Sequence, residues 1–172
     1  MDGVAAIKSA FTGAHNWYLG TVADVGAEQA NTVPPGIVHP IGARMAHILH
    51  SEDFMFNTLI QGEPTLWERD GWGTKLGGAM LLAQEAATSR AYTCDPDALA
   101  GYAHAVFANT DAVLGRLTDA ELDRELNLVA IGFPQNMPMG AFLTQLLLGN
   151  TYAHTGEISA LKGTMSLKGF PF

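Results

Sequence analysis

Hydrophobic residues recur at helical spacing in long segments of the chain. The first segment runs from about Asp2 to Gly26, and its apolar residues follow one another at steps of three and four positions, as on one face of a helix. A second segment begins after Pro40, which suits a first helical turn because its missing N–H costs nothing there, and ends near Ile60. These patterns predict the first two long helices.

The second half of the chain shows the same periodicity. A third segment opens at Asp95-Pro96, an N-cap residue followed by a proline suited to the first helical position. Residues 118–121, TDAE, have the spacing of a capping box and predict a short further turn. A fourth segment runs from Pro138 to about Lys162. We therefore expect two more long helices.

Turn-forming residues separate these segments. They cluster in NTVPPGIVHP (31–40), in GEPTLWERDGWGTKLGG (62–78), which we interpret as a loop, and in GFPQNMP (132–138). A weaker helical stretch is predicted over 80–89, and strand signals are poor. Long amphipathic helices with such connections pack most simply as an all-α four-helix bundle with long crossover connections. We expect residues 1–172 to form a single domain of this kind.

Charge and composition narrow the function classes. The chain has 17 Asp and Glu against 9 Lys and Arg, which gives a formal net charge of −8. Nucleic acids and anionic membranes need clustered Lys and Arg, so neither is an expected partner. The sequence has neither a run of roughly 18 apolar residues nor a signal-peptide pattern at its start, and we expect a cytoplasmic protein. The single cysteine, Cys94, excludes an internal disulfide and a cysteine-built zinc site.

Polar residues interrupt the apolar faces of the second and fourth segments. On a helical wheel, Asn150, His154 and Glu157 share one face with leucines, and Asn150 lies one turn from His154. Buried polar groups need a partner or a metal ion, because desolvating them alone costs several kcal/mol. We therefore regard Asn150 and His154 as residues able to approach a single ion.

The second segment supplies candidate partners for that ion. Glu52 lies in the middle of its apolar stripe, whereas His47 and His50 lie on the flank, from which they can face a neighbouring helix. The residues alone leave His47 open between a metal ligand and a structural histidine. The remaining histidines are interpreted as structural: His15, His39 and His104.

Three segments resemble, in their order and spacing, the DinB-like family of metal-binding four-helix bundles. They are MAHILHSEDF, DPDALAGYAHAVFANTDAVLGRLTDAEL and GAFLTQLLLGNTYAHTGEISALKGTMSLKGFPF. The family typically carries a His-x-x-x-x-Glu pattern on the second helix, which His47 and Glu52 match. Its last helix typically carries a His-x-x-x-His pair, where this chain has Asn150 and His154. The resemblance runs over residues 41–172.

The resemblance implies a metal triad of His47, Asn150 and His154 that holds zinc or nickel. Asn150 departs from the family pattern, because an amide oxygen is a poorer ligand for these ions than imidazole or carboxylate. His50 and Glu157 are expected to add a donor, orient a ligand or move protons, and Glu52 is expected to be a buried group behind the ligands.

The resemblance also implies an activity. Relatives of the family include thiol-dependent S-transferases and a mycothiol-dependent maleylpyruvate isomerase, in which the metal activates the thiol sulfur. The resemblance implies a homodimeric, metal-dependent enzyme that catalyses thiol transfer or isomerisation, with metal-assisted hydrolysis as the next reaction class. Such an enzyme takes a small-molecule substrate and a low-molecular-weight thiol. The alternative is a metal-free binding or scaffold protein, in which Asn150 has replaced a ligand and the polar residues form a hydrogen-bonded network.

Overall fold

The computed structural model describes residues 2–82 and 86–172, which are mostly helical. The first half of the chain contains α1 (Gly3–Val22), α2 (Ala27–Asn31), α3 (Ile41–Asp53), a π-helical continuation over Phe54–Gln61, α4 (Leu66–Arg69) and α5 (Trp72–Leu76). The second half contains α6 (Ala86–Ala91), α7 (Pro96–Leu114), α8 (Met139–Ala141), a π-helical segment over Phe142–Leu147 and α9 (Leu148–Thr164).

Short elements fill the connection between α7 and α8. Two single turns of 3₁₀ helix lie there, at Asp119–Asp123 and Val129–Ile131, and the first carries the capping box predicted over 118–121. Strand β1 (Glu125–Leu126) pairs antiparallel with β2 (Met137–Pro138), with Leu126 opposite Met137. This pair was not predicted, because two residues are too few for an alternating pattern to show.

The four long helices pack as a bundle, which confirms the predicted fold class. Helix α9 packs against α1 and α3, and α7 packs against the same two helices. Two clusters of buried apolar side chains fill the interior, one around Tyr102 and Ile48 and the other around Phe11 and Phe142. Long connections, 62–95 and 115–138, lead into α7 and out of it.

Several predicted boundaries were wrong. The first helix ends at Val22 rather than near Gly26. The stretch 62–78 is not a plain loop, because a capping box between Thr65 and Glu68 begins α4, and α5 follows. In the stretch 80–89, residues 80–82 are not helical, 83–85 lie outside the described residues, and α6 begins at Ala86. In the stretch 62–78, glycines with positive φ, such as Gly71 and Gly77, divide the chain into short helices.

A buried carboxylate at the end of α3 anchors the connection that follows. Asp53 accepts hydrogen bonds from the backbone N–H groups of Leu66 and Trp67, at 2.8 and 2.9 Å, and from the hydroxyl of Tyr102 at 2.6 Å. The Asp53 side chain is fully buried, so these donors replace its hydration shell. They tie the start of α4 to both α3 and α7.

A buried histidine holds a second part of the same connection. The Leu81 N–H donates to His50 Nδ1 at 2.8 Å, and the His50 ring stands perpendicular to Trp67 with centroids 4.5 Å apart. Burial, followed by the electrostatic interaction with the nearby His47 ring, lowers the pKa of His50 to about 3. The ring is therefore neutral at physiological pH and available as an acceptor for Leu81.

Removing the Asp53 carboxylate should destabilise the fold. We expect Asp53→Ala to lower the free energy of unfolding by about 3–5 kcal/mol, since several buried donors lose a charged acceptor. Urea denaturation measures the change. The matched control is Asp70→Ala, because Asp70 is exposed and forms a surface ion pair with Arg69 at 3.1 Å. The loss of stability in this control should stay within about 0.5 kcal/mol. Equal losses in the two variants would contradict the anchoring role.

The stability of the fold should depend on the protonation of His50. In the unfolded chain this residue titrates near 6.5, and in the folded chain near 3, so between these values only the unfolded chain binds the proton. The stabilisation is complete above pH 6.5 and is lost as the pH falls toward 3. His50→Asn keeps an acceptor for Leu81 but does not titrate. The stability advantage of the wild type over this variant should shrink by about 2 kcal/mol between pH 6.5 and pH 5.

Urea denaturation across this pH range measures the His50 effect. His104→Asn is the control, because it makes the same replacement at an exposed position of α7. If the stability of His50→Asn falls in parallel with that of the wild type, the depressed pKa of His50 is wrong.

Candidate functional site

The structure brings the three predicted ligands together between α3 and α9. His47 of α3 and His154 of α9 meet with ring centroids 4.9 Å apart and ring planes at 84°. Asn150, one turn before His154, places its Oδ1 3.3 Å from His47 Nε2. Both histidines are buried. The site is thus polar, enclosed and shared by two packed helices.

The tautomer of His47 follows from its backbone partner. His47 Nδ1 lies 2.7 Å from the carbonyl oxygen of Leu81 and donates its hydrogen to it. Burial lowers the pKa of His47, so the ring is neutral and its Nε2 carries a lone pair. That lone pair faces Asn150 Oδ1, which is also an acceptor.

His154 is oriented by a carboxylate at the rim of the site. Its Nδ1 lies 2.7 Å from Glu157 Oε2, and the same oxygen lies 2.8 Å from Arg44 Nε. The helical wheel places Glu157 on the apolar face with Asn150 and His154, where a buried side chain is expected, but its side chain is 44% exposed. Its carboxylate is directed to the rim, because there it can pair with both Arg44 and His154.

The ring contacts of both histidines match those of metal ligands. A ligating histidine usually donates its second N–H to a carbonyl or carboxylate, which fixes the ring and its tautomer. Leu81 gives His47 the first kind of partner, and Glu157 gives His154 the second. The backbone carbonyl of Leu81 had no sequence signal. Arg44 precedes His47 by about one helical turn in the sequence, but no role was predicted for it.

The other predicted neighbours have different surroundings. His50 accepts a hydrogen bond from the N–H of Leu81, and the carbonyl of Leu81 accepts one from His47. Both histidines therefore contact the backbone of the same residue. Glu52 lies on another face of α3 and contacts His15 Nε2 at 2.8 Å and the Thr110 hydroxyl at 2.6 Å. These contacts join α3 to α1 and α7 rather than to the candidate ligands.

A cavity of about 730 Å³ opens beside His47 and Asn150. Both π-helical segments contribute to its wall, the first following His47 along α3 and the second preceding Asn150. Such segments occur frequently at functional sites, because the wider turn changes where side chains point. The sequence pattern predicted continuous helix at both places and gave no sign of this geometry.

The candidate donors of this site include no carboxylate and no thiol. Within residues 2–82 and 86–172, no group of three or more His, Cys, Asp or Glu side chains is arranged to hold a metal ion. The candidate set consists of two imidazoles and one amide. Cys94 is not an alternative nucleophile, because burial and then the charge of Asp95 raise the pKa of its thiol to about 11. In the part of the chain that the structure describes, no helix is long and apolar enough to span a bilayer.

Comparison with known proteins places this geometry in a family. A crystal structure of a conserved protein from Enterococcus faecalis superposes with a TM-score of 0.78 at 15% identity, covering 94% of this chain and 96% of that chain. At this identity the likeness shows the fold alone. A search of curated proteins gave no match. The family model described as the DinB superfamily matches residues 10–158. Because that match spans most of the chain, the chain belongs to the DinB superfamily.

Proposed function

We propose that this chain is a metal-dependent enzyme that holds zinc or nickel through His47, His154 and the amide oxygen of Asn150. One observation supports the proposal above the others. With its Nδ1–H donated to Leu81, His47 turns the Nε2 lone pair toward Asn150 Oδ1 at 3.3 Å, so two ligand-type atoms converge on one point. Such a pair of atoms can hold a cation, so the residues fit the ion that the family implies. Bound there, it would stabilise a thiolate or polarise a carbonyl group.

The chain's own residues would prepare that chemistry. The Leu81 carbonyl and the Glu157 carboxylate hold the two imidazole rings with their Nδ1–H groups turned away from the site. Arg44 keeps Glu157 in place. The buried position of His47 keeps the ring neutral, which ligation requires. Two imidazoles and an amide bind a divalent ion less tightly than a set containing a carboxylate or a third imidazole.

The proposed reaction is thiol transfer or isomerisation, with metal-assisted hydrolysis as the next class. Its substrate is a small molecule, and its thiol is of low molecular weight. The family match, together with the adjoining cavity, supports a chemical role for the site. The single domain, the homodimer and the cytoplasmic location remain predictions.

A specific observation favours a second candidate, a metal-free binding protein. Asn150 Nδ2 is buried and has no hydrogen-bond partner among the described residues. If the amide were rotated by half a turn, Nδ2 would donate to His47 Nε2, and the histidines would belong to a hydrogen-bonded network without an ion. Elemental analysis decides between the two candidates.

Metal content tests the proposed enzyme directly. The protein is purified without a metal-binding tag, incubated with zinc or nickel, and freed of excess ion by gel filtration. We expect about one ion per chain in the wild type and a loss of at least about tenfold in His154→Ala, because one imidazole ligand is removed. His104→Ala, at an exposed position on α7, should keep the full content. Absence of metal from the wild type would support the metal-free protein, whereas full retention of metal in His154→Ala would overturn the proposed ligand set.

The role of Asn150 has its own test. Asn150→His replaces a weak amide donor with an imidazole, so the dissociation constant for zinc should fall by at least about tenfold, whereas Asn150→Ala should raise it. Competition with a chromophoric chelator measures both values. Identical constants for the wild type, Asn150→His and Asn150→Ala would remove Asn150 from the ligand set.

A further inference from the structure

The cavity beside His47 is polar at one end and apolar elsewhere. Its polar end is formed by His47, by Ser51, one turn later on α3, and by Asn150. In the described part of the chain, no Lys, Arg, Asp or Glu lines it. The rest of the wall is formed by small and apolar residues: Phe54, Met55, Leu82, Ile131, Phe133, Phe142, Leu146, Leu147, Gly149 and Ala153.

We propose that this cavity binds an uncharged apolar molecule, aromatic or aliphatic, whose single polar head group points toward His47. A volume of about 730 Å³ lies in the range of small-molecule sites, roughly 300–1,000 Å³. The apolar wall favours a ligand that removes its own apolar surface from water. The polar residues at one end give the ligand a direction.

The uncharged wall also excludes a class of ligand. A charged group that enters the cavity loses its hydration and meets no opposite side-chain charge among the described lining residues. In the ion-free cavity, a charged thiol such as glutathione therefore does not fit as the occupant. The cavity suits the molecule on which the thiol would act, and Leu82, which lines the cavity while 37% exposed, marks its opening to solvent.

This inference extends the proposed function by naming the substrate class, and the direction of the head group rests on that function. The binding of an apolar molecule does not rest on it, because the wall is apolar with or without an ion. The binding experiment is therefore made on the full-length chain after dialysis against EDTA.

The chain offers a variant that fills the cavity without disturbing the backbone. Gly149 lies in the cavity wall, and a Cβ added to it meets no atom within 4 Å. Gly149→Phe places a ring in the cavity, and replacing a helical glycine favours the helix. The matched control is Gly163→Phe, because Gly163 lies on the same helix, is exposed, and also has no neighbour within 4 Å of an added Cβ.

The probe is N-phenyl-1-naphthylamine, a neutral apolar dye whose fluorescence rises in apolar sites. We expect saturable binding to the wild type and to Gly163→Phe, and binding at least about tenfold weaker to Gly149→Phe. Unlabelled 1-decanol should displace the dye, whereas glutathione should not. Absence of binding, equal binding to Gly149→Phe, or displacement by glutathione as effective as by 1-decanol would overturn the proposal.

The two proposals fail separately. Dye binding to a protein that takes up no zinc or nickel would overturn the metal-dependent enzyme and leave the apolar cavity supported. Uptake of metal by a protein that does not bind the dye would support the metal site and overturn the apolar cavity.

Discussion

Burial of α3 on every side is the constraint on which the rest of the structure depends. All of its residues from Ile41 to Asp53 are buried, so each polar side chain on it must find a partner inside the protein. Because successive residues of a helix point in different directions, the partners lie on different elements. Glu52 joins α1 and α7, Asp53 holds α4, and His50 holds Leu81. The candidate site is one member of this set, formed where α3 meets α9.

The same constraint explains why the site and the connection after α3 are coupled. Leu81 gives its N–H to His50 and its carbonyl to His47, so a single residue of the connection is fixed from both sides of its backbone. Burial keeps both imidazoles neutral, which makes one of them an acceptor from Leu81 and the other a donor to it. The orientation of His47 is therefore a property of the whole fold rather than of α3 alone.

The sequence predicted much of the fold and less of the site. The helices and the Asp95-Pro96 start of α7 follow from periodicity and local capping, which act within a few residues. The π-helical segments escaped prediction, because one wider turn changes neither residue types nor their approximate spacing. The meeting of His47, Asn150 and His154 was inferred from a resemblance. The surroundings of Glu52 could not be inferred, because they depend on which helices become neighbours.

The site and the cavity share one electrostatic property. The candidate ligands are two imidazoles and an amide, with no carboxylate among them, and no Lys, Arg, Asp or Glu lines the described cavity wall. Glu157, which contacts His154, is at the exposed rim and is paired with Arg44. The net charge of −8 is thus carried by residues other than the candidate ligands and the described cavity wall. A donor set without carboxylates binds a divalent cation less tightly. It also does not neutralise the positive charge of a bound cation. That charge would stabilise most strongly an uncharged substrate that becomes anionic during the reaction. The apolar cavity and a donor set without carboxylates are therefore consistent with one another.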